Sequence, residues 1–546
     1  MSRREAWLSA GLVFVVALLV RAWAAAQMSF PIPEDATYYW GVARNLVDGH
    51  GLTSNALWTY VTPARDATGG LSLGFPRPAF EVWLPLPALL AAIAMGVAGS
   101  TAYGPALVVP VVAGAAIPVL AWRIAADLAE ERALTPERAR TFAVGTGLVA
   151  ALWLPLVLPG AVLDSTSLFG VPALAACLLM VRLARRPPAR LLDARMIALG
   201  AAIGIAYLSR NEAVWIGLTW LAIATWSRRG QGPRAIAAPV AVAGVTALFV
   251  MSPWLVRNWL TFGSALPGQA ALNALSLTGF DIFAWADRPT LDRYLAAGVG
   301  ELLDQRTTAF AHNLVDVLVV PGFPISLLGL DVLPSIGRAR TLRPLLVLAL
   351  LTFGATTLLF PVATTWGTFL HAAVPSLVLL LVAAMAGLDE GIATVGRRRA
   401  WTRPVAWLGP LFAGFAALLF VTAGIPSYAG QARGIEAKYA ALTERFAALG
   451  DPLVPTVPVI ASYPIWVAES NGVRTLALPD EPVSSVLEIA RTFGARYVVL
   501  DGTHGSWPAR LATDPDARCL APVSLPPAVG ASSSTTDFSI YRIACP

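Results

Sequence analysis

Apolar runs of about twenty residues, long enough to cross a bilayer as helices, are separated by short arginine-bearing loops through the first 425 positions. The pattern predicts crossings at 6–26, 104–122, 141–160, 168–181, 196–209, 213–227, 235–255, 312–333, 344–361, 366–388 and 404–424, eleven in all. Basic residues in short loops stay cytoplasmic. Arg3 to Arg4, Arg123 to Arg140, Arg182 to Arg195, Arg228 to Arg234, Arg338 to Arg343 and Arg397 to Arg403 are therefore placed on that side. The apolar stretch Phe80 to Gly99 is left over. If it crossed, the Arg123 to Arg140 loop would face outward, so it is predicted to be re-entrant or surface-lying, broken by Pro85 and Pro87.

The pattern changes after Ile425. Short apolar runs alternate with helical periodicity, as in small α/β modules. Val457 to Ala461 reads as a strand, Pro482 to Phe493 as an amphipathic helix, Tyr497 to Asp501 as a buried strand and Phe538 to Ile543 as a late strand. The division predicted is a helical membrane domain, 1–425, with outer loops 27–103 and 257–311, followed by an extracytoplasmic α/β domain, 426–546.

Composition agrees with a membrane protein: 56% of residues are hydrophobic and 13% charged, where a water-soluble chain carries about 25% charged residues. Ser2-Arg3-Arg4 before an apolar run resembles a signal peptide, but the run is long enough to span and lacks a cleavage site, so it reads as a retained helix. The net charge of +6 is carried by arginines in loops, with Lys438 the only lysine. Without a basic patch interleaved with aromatics, nucleic acid is not an expected partner. No internal repeat or paired broken helices mark a transporter. Cys177 falls in a predicted span, whereas Cys519 and Cys545 share the outer domain, as a disulfide or as two free thiols.

Candidate chemistry collects on the outer side. Glu34-Asp35 opens the aromatic-rich amphipathic segment Ala36 to Leu46 at the membrane edge. Asp35 is a candidate general base, since a carboxylate within hydrogen-bond reach can take a proton from an attacking hydroxyl. The pair reads equally as a helix N-terminal cap, with Glu34 tuning its neighbour. Asp164 is placed to meet Asp35 across a cavity, or to cap the next helix with Ser165, Thr166 and Ser167. Arg210 and Arg257 are candidate phosphate contacts, because a guanidinium binds phosphate oxygens in pairs. Arg210 can instead pair with Glu212 across a tight hairpin, and Arg257, beside Trp254 and Asn258, can be a snorkelling interfacial arginine. Tyr38 and Tyr39 are an interfacial face or a platform for a sugar, and His371 is a ligand or a hydrogen-bonded core residue. Glu81 is a third outer acid near the membrane.

Taken in order, Asp35-Ala36-Thr37-Tyr38-Tyr39 with Ala43-Arg44-Asn45-Leu46 and Gly49-His50-Gly51, Leu163-Asp164, Ser209-Arg210-Asn211-Glu212, Pro253-Trp254-Leu255-Val256-Arg257-Asn258 with Phe262-Gly263, His371 with Pro375, and Tyr497-Val498-Val499-Leu500-Asp501 resemble the GT-C glycosyltransferases. Within them the likeness is to the protein mannosyltransferase and aminoarabinose transferase branch, of glycosyltransferase family 39 type, and it covers most of the chain. It implies a mainly α, polytopic fold in a bacterial plasma membrane, with the N-terminus cytoplasmic. It also implies transfer of a sugar from a polyprenyl-phosphate donor to a hydroxyl of a lipid, glycan or protein, with inversion, since one base and no placed nucleophile are found. Asp35 and Asp164 would then be catalytic, and Glu34, Tyr38, Tyr39, Glu81, Arg210, Glu212, Arg257, Asn258 and His371 would contact substrate. A divalent cation held by Glu81 with His371 is conceivable from the likeness and is left open. The rival readings are a carrier or flippase for lipid-linked sugars without catalysis, and a membrane scaffold.

Overall fold

The computed structural model describes residues 3–545 apart from 67, 188–189, 191, 269, 402–404, 525 and 527–536. Among the described residues six helices are long and apolar enough to cross a membrane: Arg3–Ala25, Tyr103–Glu131, Ser165–Arg185, Pro233–Phe262, Val374–Arg398 and Leu408–Ala448. Pro136–Leu152 with Leu154–Gly160, bent by 72°, makes a seventh if counted as one span. Five shorter apolar helices lie among them, including Ala194–Ser209, Ala213–Ser227 and Arg343–Leu358. The leftover stretch forms Leu86–Ala98, 13 residues and thus about 20 Å, against about 30 Å of hydrocarbon. The predicted crossing 312–333 is interrupted: a π-helical segment His312–Val319 gives way to a turn and then Ile325–Ile336. Pro321 and Pro324 lack the N–H groups that a continuous helix needs.

The 72° bend has a local cause. Pro155 cannot donate to the Ala151 carbonyl four residues back. Arg21, fully buried on the first helix, donates to that carbonyl at 3.3 Å and to Leu156 O at 2.8 Å. Gly114 and Gly160 leave room for it, since a Cβ at either would lie 2.8 Å from the Arg21 side chain.

The last helix, Leu408–Ala448, runs 41 residues without a break, about 60 Å, and so carries the chain through position 425 and out of the apolar zone. Beyond it stand the strands Val459–Ala461, Thr475–Ala477 and Tyr497–Asp501, mutually parallel and linked by helices Pro464–Asn471 and Val483–Phe493. Both helices end on a left-handed glycine, Gly472 (φ 64°) and Gly494 (φ 72°), which turns the chain back toward the sheet. These strands are buried along nearly their whole length, as parallel strands covered on two faces are. Phe538–Ile543 pairs antiparallel with Tyr497–Asp501 and Leu520–Val523. The other edge is completed by Ala56–Leu57, from the first outer loop, parallel to Thr475–Ala477.

One hydrophobic cluster therefore runs from Ala24 and Leu163 through Tyr38, Trp58 and Trp254 to Ile460 and Leu500. It fixes the outer sheet over the end of the helical bundle where the candidate residues lie. Cys519 and Cys545 are disulfide-bonded, and Cys177 is buried as a free thiol.

Candidate active site

Helix Glu34–Val47 begins after Pro33, which offers no capping side chain. Asp35 therefore sits in the first turn rather than at the cap. Its carboxylate faces His371, Oδ2 lying 3.5 Å from Nε2. On the other edge of the ring, His371 Nδ1 is 2.9 Å from Asp164 Oδ2. A carboxylate only accepts, so this contact assigns the proton to Nδ1 and turns Nε2 toward Asp35. Asp164 meanwhile caps helix Ser165–Arg185, accepting from Ser165 N at 2.5 Å. It also accepts from Ser165 Oγ at 3.1 Å and Thr166 Oγ1 at 2.5 Å. Capping and placement in the cluster, alternatives in the sequence, are thus both properties of Asp164.

The chain of contacts continues to the hairpin tip. Arg210 donates to Ser165 Oγ at 3.1 Å and forks onto Glu212 at 3.1 and 2.8 Å. Tyr39 is buried beside this group. Trp83 also draws the Asp35 carboxyl down, against the effect of burial; no polar pattern marked Trp83 in the sequence. With Arg210 balanced by Glu212, the two aspartates give the cluster surplus negative charge around His371. Burial pushes the Asp35 carboxyl above its ordinary value, His371 opposes the shift and Asp164 adds to it. Burial acts the same way on Asp164, but His371 and the Thr166 hydroxyl outweigh it and hold Asp164 low. Asp35 keeps 24% of its side-chain surface exposed, against 10% for Asp164 and 9% for His371. It is the most exposed member of the cluster.

Asp35, Asp164 and His371 each offer one ligand atom, all within 4.8 Å of one another. Two carboxylates and an imidazole suit a hard or borderline divalent cation, so these residues fit one. The pair raised by the family likeness, Glu81 with His371, is not what comes together: Glu81 is buried in an ion pair with Arg77, which also donates to Thr62 O.

The remaining candidates make their contacts outside this cluster. Tyr38 accepts the Phe80 N–H at 2.7 Å and packs on Phe80 and Trp83. Arg257 donates to Ala79 O at 2.8 Å and to Asn258 Oδ1 at 3.2 Å. It stands 4.7 Å over Trp254 and forms no ion pair among the described residues. Asn258 donates to Ala265 O at 3.3 Å. Glu34 turns away from Asp35's partners toward the outer domain, accepting the Ile465 N–H at 2.9 Å, and burial raises its carboxyl to about 8.

No protein-family model and no curated protein matches the sequence. Solved structures do match in fold. ArnT from Cupriavidus metallidurans, bound to undecaprenyl phosphate, is 15% identical with a TM-score of 0.53 over 99% of both chains. The Archaeoglobus fulgidus oligosaccharyltransferase in complex with zinc and sulfate is 15% identical, with a TM-score of 0.56 over 97% of this chain and 73% of that one. The archaeal oligosaccharyltransferase AglB from the same organism, with an inhibitory peptide and a dolichol-phosphate, is 13% identical. Its TM-score is 0.53 over 90% of this chain and 69% of that one. Both proteins are of the GT-C superfamily; the mainly helical, GT-C-like fold expected from the sequence is observed, while six or up to seven helices among the described residues qualify as spans where eleven were expected.

Proposed function

We propose that this chain, whose fold is that of the GT-C membrane glycosyltransferases, transfers a sugar from a polyprenyl-phosphate donor to a hydroxyl of a lipid, glycan or protein on the extracytoplasmic face. The observation that carries the reading is Asp35, partly exposed at the mouth of a cluster that otherwise buries its charges. As the acceptor oxygen bonds to the anomeric carbon, its proton passes to Asp35 and the carbon–phosphate-oxygen bond breaks on the opposite side, which inverts the centre. The departing lipid phosphate gains charge, and fixed cations stabilise it. Arg257 suits that role, since no acid neutralises it among the described residues. Arg210, committed to Glu212 and Ser165, acts more as a brace for Asp164.

Asp35, Asp164 and His371 would hold a divalent cation if one is used, and a bound cation supplies positive charge for donor phosphate oxygens. His371 and Asp164 otherwise orient Asp35. The bound lipid phosphates in ArnT and AglB support the donor class. Asp35→Asn tests the reading in reconstituted vesicles: transfer should fall by about 100-fold or more, with donor-lipid binding nearly unchanged. Transfer that survives the substitution rejects Asp35 as the base, and survival of lipid-linked sugar flux without product favours a carrier.

A further inference from the structure

Helix Ser165–Arg185 begins at the Asp164 cluster and ends, 21 residues later, at Arg185, about 30 Å away. That is one hydrocarbon thickness, so Arg185 marks the opposite interface. There two neighbouring hollows open between helices. One, of about 240 Å³, is bordered by Arg185, Arg340, Arg343, Trp226 and Ser227. The other, of about 600 Å³, is walled by Leu330, Leu333, Pro334, Leu346 and Val347, and shares Trp226 and Arg343 with the first.

The described residues bordering these hollows include Arg185, Arg338, Arg340 and Arg343 and no acid. Glu131, beside Arg185, is occupied: it accepts from Arg340 N at 2.6 Å, Thr341 N at 2.8 Å and Thr341 Oγ1 at 2.6 Å, and pairs with Arg185 at 3.3 Å. Arg338, Arg340 and Arg343 form no ion pair among the described residues, and Arg338 and Arg340 are exposed. The guanidinium groups of Arg343 and Arg229 lie 5.1 and 5.5 Å from the Trp226 ring centre. This holds the ring at the junction of the cationic and apolar hollows, where tryptophan is favoured at a membrane interface.

A guanidinium niche opening into an apolar groove at membrane depth has the shape and polarity of a lipid: phosphate in the niche, acyl chain in the groove. We propose that this end of the bundle binds an anionic phospholipid of the leaflet opposite the Asp35 cluster. The site takes no part in sugar transfer and stands whether or not that activity is correct.

The test is native mass spectrometry of the full-length protein, titrated with phosphatidylglycerol and phosphatidylcholine of matched chains. Phosphatidylglycerol should bind about tenfold more tightly or better. Arg340→Gln with Arg343→Gln should cut that preference to about threefold or less, and glycerol 3-phosphate should not displace the lipid. Equal binding of the two lipids, or an unchanged preference in the variant, overturns the proposal. Displacement by glycerol 3-phosphate overturns it too, by showing a soluble-phosphate site. If the double variant does not fold, Arg340→Gln alone, on an exposed side chain, decides by the same readings.

Discussion

Asp35 and Asp164 are chemically alike, and their surroundings set them apart. Asp164 is saturated with donors and held low, whereas Asp35, facing Nε2 across 3.5 Å, is raised by burial and stays more exposed. His371→Asn removes the group both carboxylates face, so transfer should drop by about 10–100-fold; Asp164→Asn should do the same while leaving Arg210 on Glu212. Initial-rate measurements check both, and wild-type rates in either variant would reduce His371 to a core residue. Of these side chains, Asp35, Asp164, Arg210 and His371 were visible in the sequence as polar residues at one membrane edge. Trp83 was not, because an indole in an apolar run carries no sign of the aromatic ring of Tyr38 on which it packs. Nor could the sequence assign Glu81, which the fold pairs with Arg77.

Helix Glu34–Val47 is gripped at both ends by helix Pro464–Asn471 of the outer domain. Glu34 accepts the Ile465 N–H near the start of that helix, and Arg44 pairs with the buried Glu469 near its end. Gly41 lies between, and a methyl there would overlap the Glu469 carboxylate. The outer domain thereby sets the pose of the helix that bears Asp35. Glu469→Ala should destabilise the protein by about 1–3 kcal/mol and lower transfer together with it; a lower rate at unchanged melting temperature would mean a contact with substrate instead. Helical periodicity located Glu34–Val47, but nothing in a linear sequence links position 44 to position 469. The two-residue strand Ala56–Leu57 escaped for the same reason: alone it is only a loop, and the edge of the Thr475–Ala477 strand makes it a strand.

Across the whole molecule, the segment bearing Phe280 and Phe283 meets the C-terminal sheet region at His504. It donates from Nε2 to Leu478 O at 2.8 Å and packs against Phe280 and Phe283. Burial lowers its pKa, while the Leu478 carbonyl and Asp480 act the other way. Below pH about 6.5 the unfolded chain binds a proton that folded His504 resists, so stability is lost as pH falls through that value and is fully present above it. His504→Gln should flatten the melting-temperature profile of the purified protein between about pH 5 and 7; an unaltered slope would assign the acid sensitivity elsewhere. The Cys519–Cys545 bond closes a 26-residue separation, and reducing it should cost about 3 kcal/mol, seen as an earlier melt. In sealed right-side-out membranes, a membrane-impermeant thiol reagent should label this pair only after reduction. Labelling only in inverted membranes would place the outer domain in the cytoplasm.

Sequence alone marked which stretches are long and apolar enough to cross a membrane, because transfer free energy depends on composition and length. It also fixed the strand Tyr497–Asp501 and the helix after Pro482, whose periodicities are local. Tertiary structure decided which charges meet. The Asp35–His371–Asp164 cluster joins positions separated by up to 336 residues, since 371 − 35 = 336, and the Arg21 brace joins the first helix to a proline break more than a hundred residues on. Such pairings follow from how helices pack, and packing is a property of the assembled bundle that no single stretch of chain encodes.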